Sequence, residues 1–594
     1  MTGSPANTLW ARSLIDELSR AGVREVVVAP GSRSTPLVMA CAADDRLTVR
    51  VHLDERSAAF FALGVGKATR RPAAVITTSG TAVANVLPAV VEASQSGVPL
   101  LVLTADRPPR LRGADANQAI DQVGIFGSFP RESFALGLPE LSGPPLRHLR
   151  TIAARAVAAA MAPDPGPVHL NLPFEKPLEP AEVPDDFLLD NPLAARGRPD
   201  GAPFVVVGSS RPTVSEEQLD ELALQLQPER GAVRGVVVAG PTDEASQVGR
   251  SAVELAAALG WPLLADPLSG ARYGPSAGAH VVAGYDLFLR DDAVRERLAP
   301  DFILRVGASP TSSALQGWLQ HHDGVRHIVL DDTQRWKDHG ATATHYLRVD
   351  PADAFVRLAD RIGSHSRDEV WSALWRSADE ATRSVLADLA PAVADDQHEG
   401  RILAALAEGL PAEAGLVVSS SMPIRDLDGY GLPREGELHV FANRGASGID
   451  GVVSTAFGVA SQRHGPTACV IGDVAFFHDQ NGLLWSREPD AAVVFILIDN
   501  DGGGIFHMLP IAEHDPHFTR YFATPHGVDP RHAAEAHGLD FIDATEEDFR
   551  GVVDEALTSG RTTIVRVRTD RSVNHRLHVE TRAAVVGSVI EALA

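Results

Sequence analysis

Short apolar runs that end in polar turn residues recur along this chain, and their alternation with helical patterns most constrains its fold. In the first part of the sequence such runs occupy Val26–Ala29, Val75–Thr77 and Leu100–Thr104. Each is followed by turn residues and then by apolar residues at helical spacing. Strands that alternate with helices in this way are typical of parallel sheets covered by helices. We therefore predict a doubly wound α/β domain here.

The same alternation returns twice, so the chain is predicted to hold three such domains. A chain of 594 residues is also too long for a single hydrophobic core. Further strands are predicted at Phe204–Val207, Gly235–Ala239, Phe302–Val306, His327–Leu330, Leu416–Val418, Ala468–Ile471 and Val493–Ile498. The predicted domains cover residues 1–185, 200–365 and 385–594, with a first helix within 1–22, a linker within 174–203 and a polar helical segment over 364–400.

The first and last parts place their strands at similar intervals along the chain. In both, the first strand runs into a loop with serine and arginine, Gly31-Ser-Arg33 in one and Ser419 to Arg425 in the other. This similarity indicates an ancient duplication, although any two parallel α/β domains can share such spacing. Two related domains that face each other can hold one cofactor between them.

Charge and composition argue against several classes of partner. The formal net charge is -24, which disfavours nucleic acid and anionic membranes, because both attract positive surfaces. No apolar run reaches the length of a membrane-spanning helix. The two cysteines, Cys41 and Cys469, lie far apart and predict neither a disulfide framework nor a zinc site. A soluble protein of the reducing cytoplasm fits this composition.

Two predicted strand ends in the last part carry oxygen ligands suited to a metal. Asp473 follows the strand in Cys469-Val-Ile-Gly-Asp473, and Asn500 opens the loop Asn500-Asp-Gly-Gly-Gly-Ile-Phe506. In parallel α/β folds, ligands bind at the carboxyl ends of the strands. A carboxylate, an amide oxygen and a backbone carbonyl from the glycine run suit Mg²⁺ that also holds a diphosphate.

Glu55 opens a predicted apolar helix directly after a short strand, in Val51-His-Leu-Asp-Glu55. This position lies at the edge of the first sheet, where burial would raise the pKa of the carboxyl group and let it exchange a proton. The alternative is a carboxylate that only stabilises the N-terminus of its helix through the helix dipole. The residues alone leave both interpretations open.

Four arginines lie in loops at or near predicted strand ends: Arg33, Arg107, Arg425 and Arg444. The planar guanidinium group matches carboxylates in two-point contacts. Any one of these arginines alone suits a structural salt bridge, but four in an acidic protein favour a site for polycarboxylate substrates. Gln118 is a candidate for further hydrogen bonds to the same substrates.

Several segments of the first and last parts resemble those of one family of thiamine-diphosphate enzymes. Gly472-Asp473 with the later Asn500 is similar to the diphosphate-binding signature of such enzymes, with Val474 in place of the usual glycine. The closer resemblance is to the 2-succinyl-5-enolpyruvyl-6-hydroxy-3-cyclohexene-1-carboxylate synthase (MenD) family, where an apolar residue stands at that position. The phrases that carry it are Ala29–Thr35, Thr104–Pro109, Ala116–Ile120, Gly166–Pro173, Asn443–Gly451 and Asn500–Phe506.

This resemblance implies three domains of the thiamine-diphosphate-enzyme type and a reaction between two dianions. The implied reaction is decarboxylation of 2-oxoglutarate and 1,4-addition of the resulting succinyl carbanion to isochorismate, in menaquinone biosynthesis. The implied cofactors are thiamine diphosphate and Mg²⁺ or Mn²⁺. Glu55 would contact a cofactor whose diphosphate is held on another subunit, which requires at least a dimer, and the resemblance implies a dimer of dimers, a homo-oligomer.

The resemblance further implies a role for each site residue. Glu55 is the expected catalytic residue, at the aminopyrimidine ring of the cofactor, and Ile449 is expected beneath the cofactor. The expected metal ligands are Asp473, Asn500 and the carbonyl of Gly502. The 2-oxoglutarate end is assigned to Ser421, Arg425 and Arg444, the isochorismate end to Ser32, Arg33, Arg107 and Gln118, and a dry face of the site to Ile505 and Phe506.

Three other functions stand as alternatives. A general 2-oxo-acid decarboxylase, or an enzyme like acetolactate synthase, would share the metal motif and Glu55 but would have less need for the arginine loops. A nucleotide-dependent dehydrogenase is disfavoured, because no Gly-x-Gly-x-x-Gly follows a predicted strand. A binding protein without catalysis is disfavoured by the joint presence of Glu55, Asp473 and Asn500. The middle domain matches no phrase of the family, and its role as FAD site, spacer or regulatory site stays open.

Overall fold

Three six-stranded sheets organise the protein, and the strand pairs within them are parallel. The computed structural model describes residues 3–226, 233–242, 245–274, 278, 280–333, 335–362, 368–388, 398–545 and 548–594. Three parallel sheets with interspersed helices confirm the predicted fold class, three doubly wound α/β domains. The three central strands of the first sheet that carry the predicted apolar runs are almost wholly buried, as expected for a sheet with helices on its faces.

The first sheet has the strand order β2-β1-β3-β4-β6-β5. Its strands are β1 Glu25–Val28, β2 Thr48–Val51, β3 Ala73–Thr77, β4 Leu100–Asp106, β5 Glu132–Ala135 and β6 Pro167–Pro173. The helices of this part of the chain are α1 Pro5–Arg20, α2 Thr35–Ala42, α3 Glu55–Thr69, α4 Thr81–Asn85, α5 Leu87–Ser96, α6 Gly143–Met161, α7 Asp185–Asp190 and α8 Pro192–Arg196.

The middle sheet has the order β12-β11-β10-β7-β8-β9. Its strands are β7 Gly235–Ala239, β8 Leu263–Ala265, β9 Val281–Val282, β10 Phe302–Val306, β11 Arg326–Leu330 and β12 His345–Leu347. The helices are α9 Glu216–Leu226, α10 Ala245–Leu259, α11 Tyr285–Phe288, α12 Asp292–Arg297, α13 Ser313–His321, α14 Pro351–Ile362 and α15 Glu369–Asp388. This strand order is that of dinucleotide-binding folds, but the order alone assigns no ligand.

The last sheet has the order β14-β13-β15-β16-β18-β17. Its strands are β13 Ala414–Val418, β14 Leu438–Phe441, β15 Thr467–Gly472, β16 Val494–Asp499, β17 Asp540–Ala544 and β18 Thr563–Arg568. The helices are α16 Glu399–Gly409, α17 Met422–Tyr430, α18 Val452–Ala460, α19 Asp473–His478, α20 Arg531–His537, α21 Phe549–Thr558 and α22 Arg571–Leu593. When the strands of each sheet are numbered in chain order, the first and last sheets have the same strand order. This identity supports the duplication hypothesis.

By packing, the chain divides into two compact units. The first unit comprises residues 1–210, 443–463 and 478–492, and the second comprises 211–442, 464–477 and 493–594. The middle and last sheets therefore share one unit. The domain boundaries drawn from the sequence stay a prediction, and the boundary at residue 365 lies outside the described residues.

A buried ion pair ties the middle part to the last part within the second unit. Arg272 is fully buried, and its Nη2 donates to Asp428 Oδ1 at 2.6 Å. The hydroxyl of Tyr285 donates to the same carboxylate oxygen at 2.9 Å, and Arg272 Nη1 donates to the Leu427 and Gly431 carbonyls. These bonds satisfy a charge that would be costly to bury alone, and they fix α17.

Two predictions about elements need correction. Phe204–Val207 is not a strand: Val206 is 74% exposed and Val207 is 53% exposed, and this apolar run pairs with no strand of the described residues. The predicted linker is only partly one, because it contains α7 and α8, and Phe174, Leu178 and Ala194 are buried in the core of the first domain. Among the described helices, none is both long and apolar enough to cross a membrane.

Candidate active site

Asp473 lies at the carboxyl end of β15 and begins α19. It is 2% exposed, and its two carboxylate oxygens accept from Val474 N at 2.6 Å and Gly502 N at 2.8 Å. Burial raises the pKa of Asp473, while these two backbone N–H groups oppose that rise. The second bond draws the glycine loop that follows β16 up to the carboxylate, as the position of both residues at neighbouring strand ends predicted.

Asn500 begins that loop and presents an amide oxygen without a partner. Its Nδ2 donates to Glu399 Oε1 at 2.8 Å. Its Oδ1 is buried and has no hydrogen-bond partner among the described residues. Because a buried polar atom is normally bonded, this oxygen fits a ligand atom for a cation.

Only glycine, which has no side chain, fits at position 502. Its φ is +136°, and a Cβ at this position would lie 2.1 Å from the carbonyl oxygen of Ala523. The next amide, Gly503 N, donates to that same carbonyl at 2.7 Å. The glycine run therefore lets backbone approach closely. A carboxylate, an unpartnered amide oxygen and a tight backbone loop together fit the oxygen ligands that Mg²⁺ or Mn²⁺ prefers.

Three residues around this loop were not predicted from the sequence. His526 Nε2 lies 3.2 Å from Asp473 Oδ2, and Arg571 Nη1 donates to the carbonyls of Asn500 and Asp501 at 2.7 and 2.6 Å. Glu399 is the acceptor for the Asn500 amide. All three lie far from the loop in sequence, and no motif around them signals the contact.

Ser421 and Arg425 follow β13 at the same edge of the last sheet. Ser421 has a φ of +75°, and Arg425 Nη1 donates to its carbonyl at 2.6 Å. The Arg425 side chain is exposed, while partial desolvation of its guanidinium group lowers its pKa. Ile505 and Phe506 are half-buried in a short 3₁₀ turn at Gly504–Met508.

Glu55 is the first residue of α3, as the sequence predicted. The helix is capped by Asp54, whose side chain accepts from Arg56 N and Ser57 N. Glu55 is half-buried, and its Oε2 accepts from Asn85 Nδ2 at 3.3 Å. The carboxyl group is therefore held at a helix N-terminus while it stays accessible.

A segment near residue 480 holds the first turn of α3. Arg56 Nη2 donates to the carbonyl of His478 at 2.7 Å, and Asn481 Nδ2 donates to Asp54 Oδ2 at 2.8 Å. Asp479 is fully buried and accepts from Ser57 Oγ at 3.3 Å, and burial raises its pKa to about 6. The position of Glu55 thus depends on side chains distant in sequence.

The loop that carries Arg444 and Ile449 is anchored on α5. Glu92 is 3% exposed, and its two carboxylate oxygens accept from Gly445 N at 2.9 Å and Ala446 N at 2.7 Å. Arg444 and Ile449 are half-buried. A single buried acid therefore fixes the backbone beside two predicted site residues.

Ser32, Arg33, Arg107 and Gln118 gather at the carboxyl edge of the first sheet. Arg33 is 5% exposed and its Nη1 donates to the Phe174 carbonyl at 2.7 Å. Burial, together with the nearby charge of Arg107, lowers the pKa of Arg33. Gln118 Nε2 donates to the carbonyl of Ser79, which follows β3, at 2.9 Å, and Ser32 is exposed beside Arg33. Two neighbouring guanidinium groups make this edge suitable for an anion.

The predicted site residues therefore fall into two groups. The first unit holds Ser32, Arg33, Glu55, Arg107, Gln118, Arg444 and Ile449, and the second holds Ser421, Arg425, Asp473, Asn500, Gly502, Ile505 and Phe506. Each group lies on strand ends, on loops beside them or at a helix N-terminus. The assignment of Arg425 and Arg444 to one substrate stays a prediction, because the two residues belong to different units.

Comparison with known families assigns all three parts of the chain. Residues 10–125 match the family described as "Thiamine pyrophosphate enzyme, N-terminal TPP binding domain". Residues 213–418 match "Middle domain of thiamine pyrophosphate", and residues 430–567 match "Thiamine pyrophosphate enzyme, C-terminal TPP binding domain". The first of these matches covers β1 to β4 of the first sheet, and the last covers the last sheet from β14 onward.

Relatives with one shared name match the chain along nearly its whole length. A 2-succinyl-5-enolpyruvyl-6-hydroxy-3-cyclohexene-1-carboxylate synthase of Halobacterium salinarum is 47% identical over 584 residues, which is 97% of this chain and 98% of the relative. Proteins of the same name from Roseiflexus sp. and Geobacillus thermodenitrificans are 44% and 43% identical, over 95% and 96% of this chain and 95% and 94% of their own lengths. The resemblance found in the sequence is confirmed: this chain is a thiamine-pyrophosphate-dependent enzyme and belongs to the 2-succinyl-5-enolpyruvyl-6-hydroxy-3-cyclohexene-1-carboxylate synthase family.

Proposed function

We propose that this enzyme decarboxylates 2-oxoglutarate and adds the four-carbon remainder to isochorismate, giving 2-succinyl-5-enolpyruvyl-6-hydroxy-3-cyclohexene-1-carboxylate for menaquinone biosynthesis. The name of the relatives supports this product. The observation that carries the proposal is the set of oxygen ligands that Asp473, Asn500 and Gly502 offer at the edge of the last sheet. Such a set holds a metal with a diphosphate, and the arginines at the edge of the first sheet suit dianionic substrates.

The proposed cofactors are thiamine diphosphate and Mg²⁺ or Mn²⁺. An Asp473 carboxylate oxygen, Asn500 Oδ1 and the Gly502 carbonyl would hold the metal, and Ile449 would support the cofactor. Bound thiamine diphosphate supplies the electron sink that decarboxylation and carbon–carbon bond formation require. Glu55 would hold a proton at the aminopyrimidine ring, in keeping with its accessible position at a helix N-terminus.

The substrate-binding groups follow from charge. Arg33 and Arg107, with Ser32 and Gln118, would bind the carboxylates of isochorismate. Arg425 and Arg444, with Ser421, would bind 2-oxoglutarate, while Ile505 and Phe506 would exclude water from the reacting carbon. Guanidinium groups suit this role because they bind carboxylates bidentately and stay charged when buried.

We also propose a cytoplasmic homo-oligomer, a dimer of dimers. In this arrangement Glu55 of one subunit acts on a cofactor held by another subunit. The arrangement is proposed from the resemblance of the Glu55 and Asp473 segments to those of the family.

A substrate-exchange assay tests the reaction. Purified enzyme with thiamine diphosphate and Mg²⁺ should consume isochorismate and release CO₂ only when 2-oxoglutarate is present. Glu55→Gln should lower kcat/KM by about 10²–10⁴-fold, because general acid–base catalysis contributes that much. Turnover of pyruvate alone would instead assign a general carboligase, and cofactor binding without any turnover would assign a binding protein.

A further inference from the structure

Glu399, the first residue of α16, is a buried carboxylate that takes no part in the proposed reaction. It is 1% exposed. Its Oε1 accepts from Asn500 Nδ2 at 2.8 Å and from Thr569 Oγ1 at 2.7 Å. Its backbone N donates to Asn574 Oδ1 at 3.0 Å. The carboxylate is thus held by Asn500 in the loop after β16 and by Thr569 just before α22, while Asn574 of α22 holds the backbone of Glu399.

The chemistry of Glu399 determines which way the Asn500 amide faces. Oε1 of Glu399 accepts both of its side-chain hydrogen bonds, and an amide has one donating and one accepting end. The donating end of Asn500 must therefore face Glu399. The opposite rotamer would bring two oxygens together in a buried place, which is unfavourable.

With the donating end bound, Asn500 Oδ1 is left to face away from Glu399. This oxygen is buried and has no hydrogen-bond partner among the described residues. The backbone of Gly504 packs closely against the amide, because a Cβ added at position 504 would lie 2.9 Å from Asn500 Nδ2. The amide is therefore held by a hydrogen bond on one end and by close packing beside it.

We propose that Glu399 is a positioning residue for the metal site: it orients Asn500 so that Oδ1, and not Nδ2, is presented as a metal ligand. This inference rests on the proposed function, because it takes the oxygen set of Asp473, Asn500 and Gly502 to be the metal site. Loss of a residue that hydrogen-bonds to a metal ligand and orients it lowers metal affinity by about 10–100-fold. Glu399 acts through Asn500 and contacts neither metal nor substrate.

The test measures the affinity for Mn²⁺ directly, by the electron paramagnetic resonance signal of free Mn²⁺ in the presence of thiamine diphosphate. Glu399→Met removes the acceptor at similar volume and should raise the Kd for Mn²⁺ by about 10–100-fold. Glu399→Gln keeps an acceptor oxygen and should retain an affinity close to that of the wild type. Glu399→Asp withdraws the acceptor by one methylene and should give an intermediate Kd.

The pattern among these variants separates orientation from charge. If Glu399 acted only through its negative charge, the aspartate variant would bind Mn²⁺ like the wild type and the glutamine variant would bind weakly. That reversed order, or an unchanged Kd in all three variants, would overturn the proposal. The aspartate and glutamine variants keep the comparison decisive if the methionine variant does not fold.

Asp379→Leu is the matched control. Asp379 is another buried carboxylate of the second unit, bonded to Ala283 N and Arg383. Its replacement should lower stability without changing the Kd for Mn²⁺. Wild-type enzyme that binds no Mn²⁺ with thiamine diphosphate would refute the proposed function and this inference with it. Wild-type binding with unaffected variants would refute this inference alone.

Discussion

Glu92 shows how one buried side chain can govern a loop at the single-residue scale. Both of its carboxylate oxygens accept backbone N–H groups of the loop that carries Arg444. Bonds from charged groups to buried N–H donors are among the stronger ones in proteins. Glu92 therefore anchors the loop backbone from a separate element, α5.

Glu92→Gln should loosen this loop. A glutamine offers one acceptor oxygen, so one of the two N–H groups loses its partner, at a cost of about 1–3 kcal/mol in the free energy of unfolding. We expect this loss in urea unfolding, with a raised KM for 2-oxoglutarate. Glu580→Gln is the control, because its pair with Arg576 is solvent-exposed and contributes little. Equal effects of the two substitutions would contradict the role of Glu92.

Asp479 gives a prediction for pH dependence. Burial raises its pKa from 3.8 to about 6 in the folded protein, so folding favours the protonated form. Its contribution to stability is therefore fully present below pH 3.8 and is lost as the pH rises through about 6. Two pKa units correspond to about 3 kcal/mol.

Asp479→Asn tests the direction of this pH dependence of stability. The amide oxygen can still accept from Ser454 N, which the carboxylate binds at 2.8 Å, but the side chain no longer titrates. Thermal unfolding between pH 4 and pH 7 should show the variant gaining stability relative to the wild type as the pH rises. Asp292→Asn, at a side chain that is 86% exposed, should follow the wild type. A constant difference between Asp479→Asn and the wild type would contradict the shifted pKa.

At the scale of elements, α3 and α18 are in close backbone contact within the first unit. A Cβ on Gly64 would lie 2.3 Å from the Thr455 carbonyl oxygen, and one on Gly458 would lie 2.1 Å from that of Phe61. Neither contact could be relieved by rotating a side chain, because the neighbouring atom in each case is a backbone carbonyl oxygen. The two glycines therefore set the distance between the helix that begins with Glu55 and the helix that follows the Ile449 loop.

Gly458→Ala should separate these helices. We expect a loss of about 1–3 kcal/mol in unfolding free energy, as for other overpacked sites, together with a lower kcat because Glu55 is displaced. Gly551→Ala is the matched control, since that helical glycine has nothing within 4 Å of its Cβ position and alanine favours helices. A loss of stability as large in the control would refute the packing argument.

The elements also show what the sequence could predict. β7 and β10 were predicted with correct bounds, because a continuous apolar run between turn residues has few alternatives to a buried strand. Phe204–Val207 has the same local pattern but remains exposed. Burial depends on neighbouring strands and helices, and the apolar run itself does not specify these. The closeness of Asp473 to the loop that begins with Asn500 could be predicted because strand ends converge, whereas Glu399 and Arg571 contact that loop from positions distant in sequence.

At the scale of the whole molecule, the proposed subunit arrangement can be tested by mixing inactive variants. Glu55→Gln and Asp473→Asn subunits should each be inactive alone. If one subunit supplies Glu55 and another holds the cofactor, a hybrid dimer has one intact site. Unfolding and refolding the two variants together should then restore about a quarter of wild-type activity, because half of the random dimers are hybrids with one of two sites intact.

Sites formed within one chain would give no activity after mixing, and that result would overturn the shared-site proposal. Sedimentation equilibrium on the wild type measures the assembly itself. The expected mass is that of four chains of 63.0 kDa. A monomer at assay concentration would contradict the proposed dimer of dimers.

The identical strand orders of the first and last sheets have a consequence for how such a site can evolve. If one ancestral domain gave rise to both, the carboxyl edge that now presents Asp473 and Asn500 and the edge that now presents Arg33 and Arg107 began as copies of one surface. Fusion of the copies into a single gene freed each edge from having to serve both purposes. Under the proposed function, one copy would then hold the metal ion while the other binds organic acids, two tasks that a symmetric pair of identical domains could not divide between them.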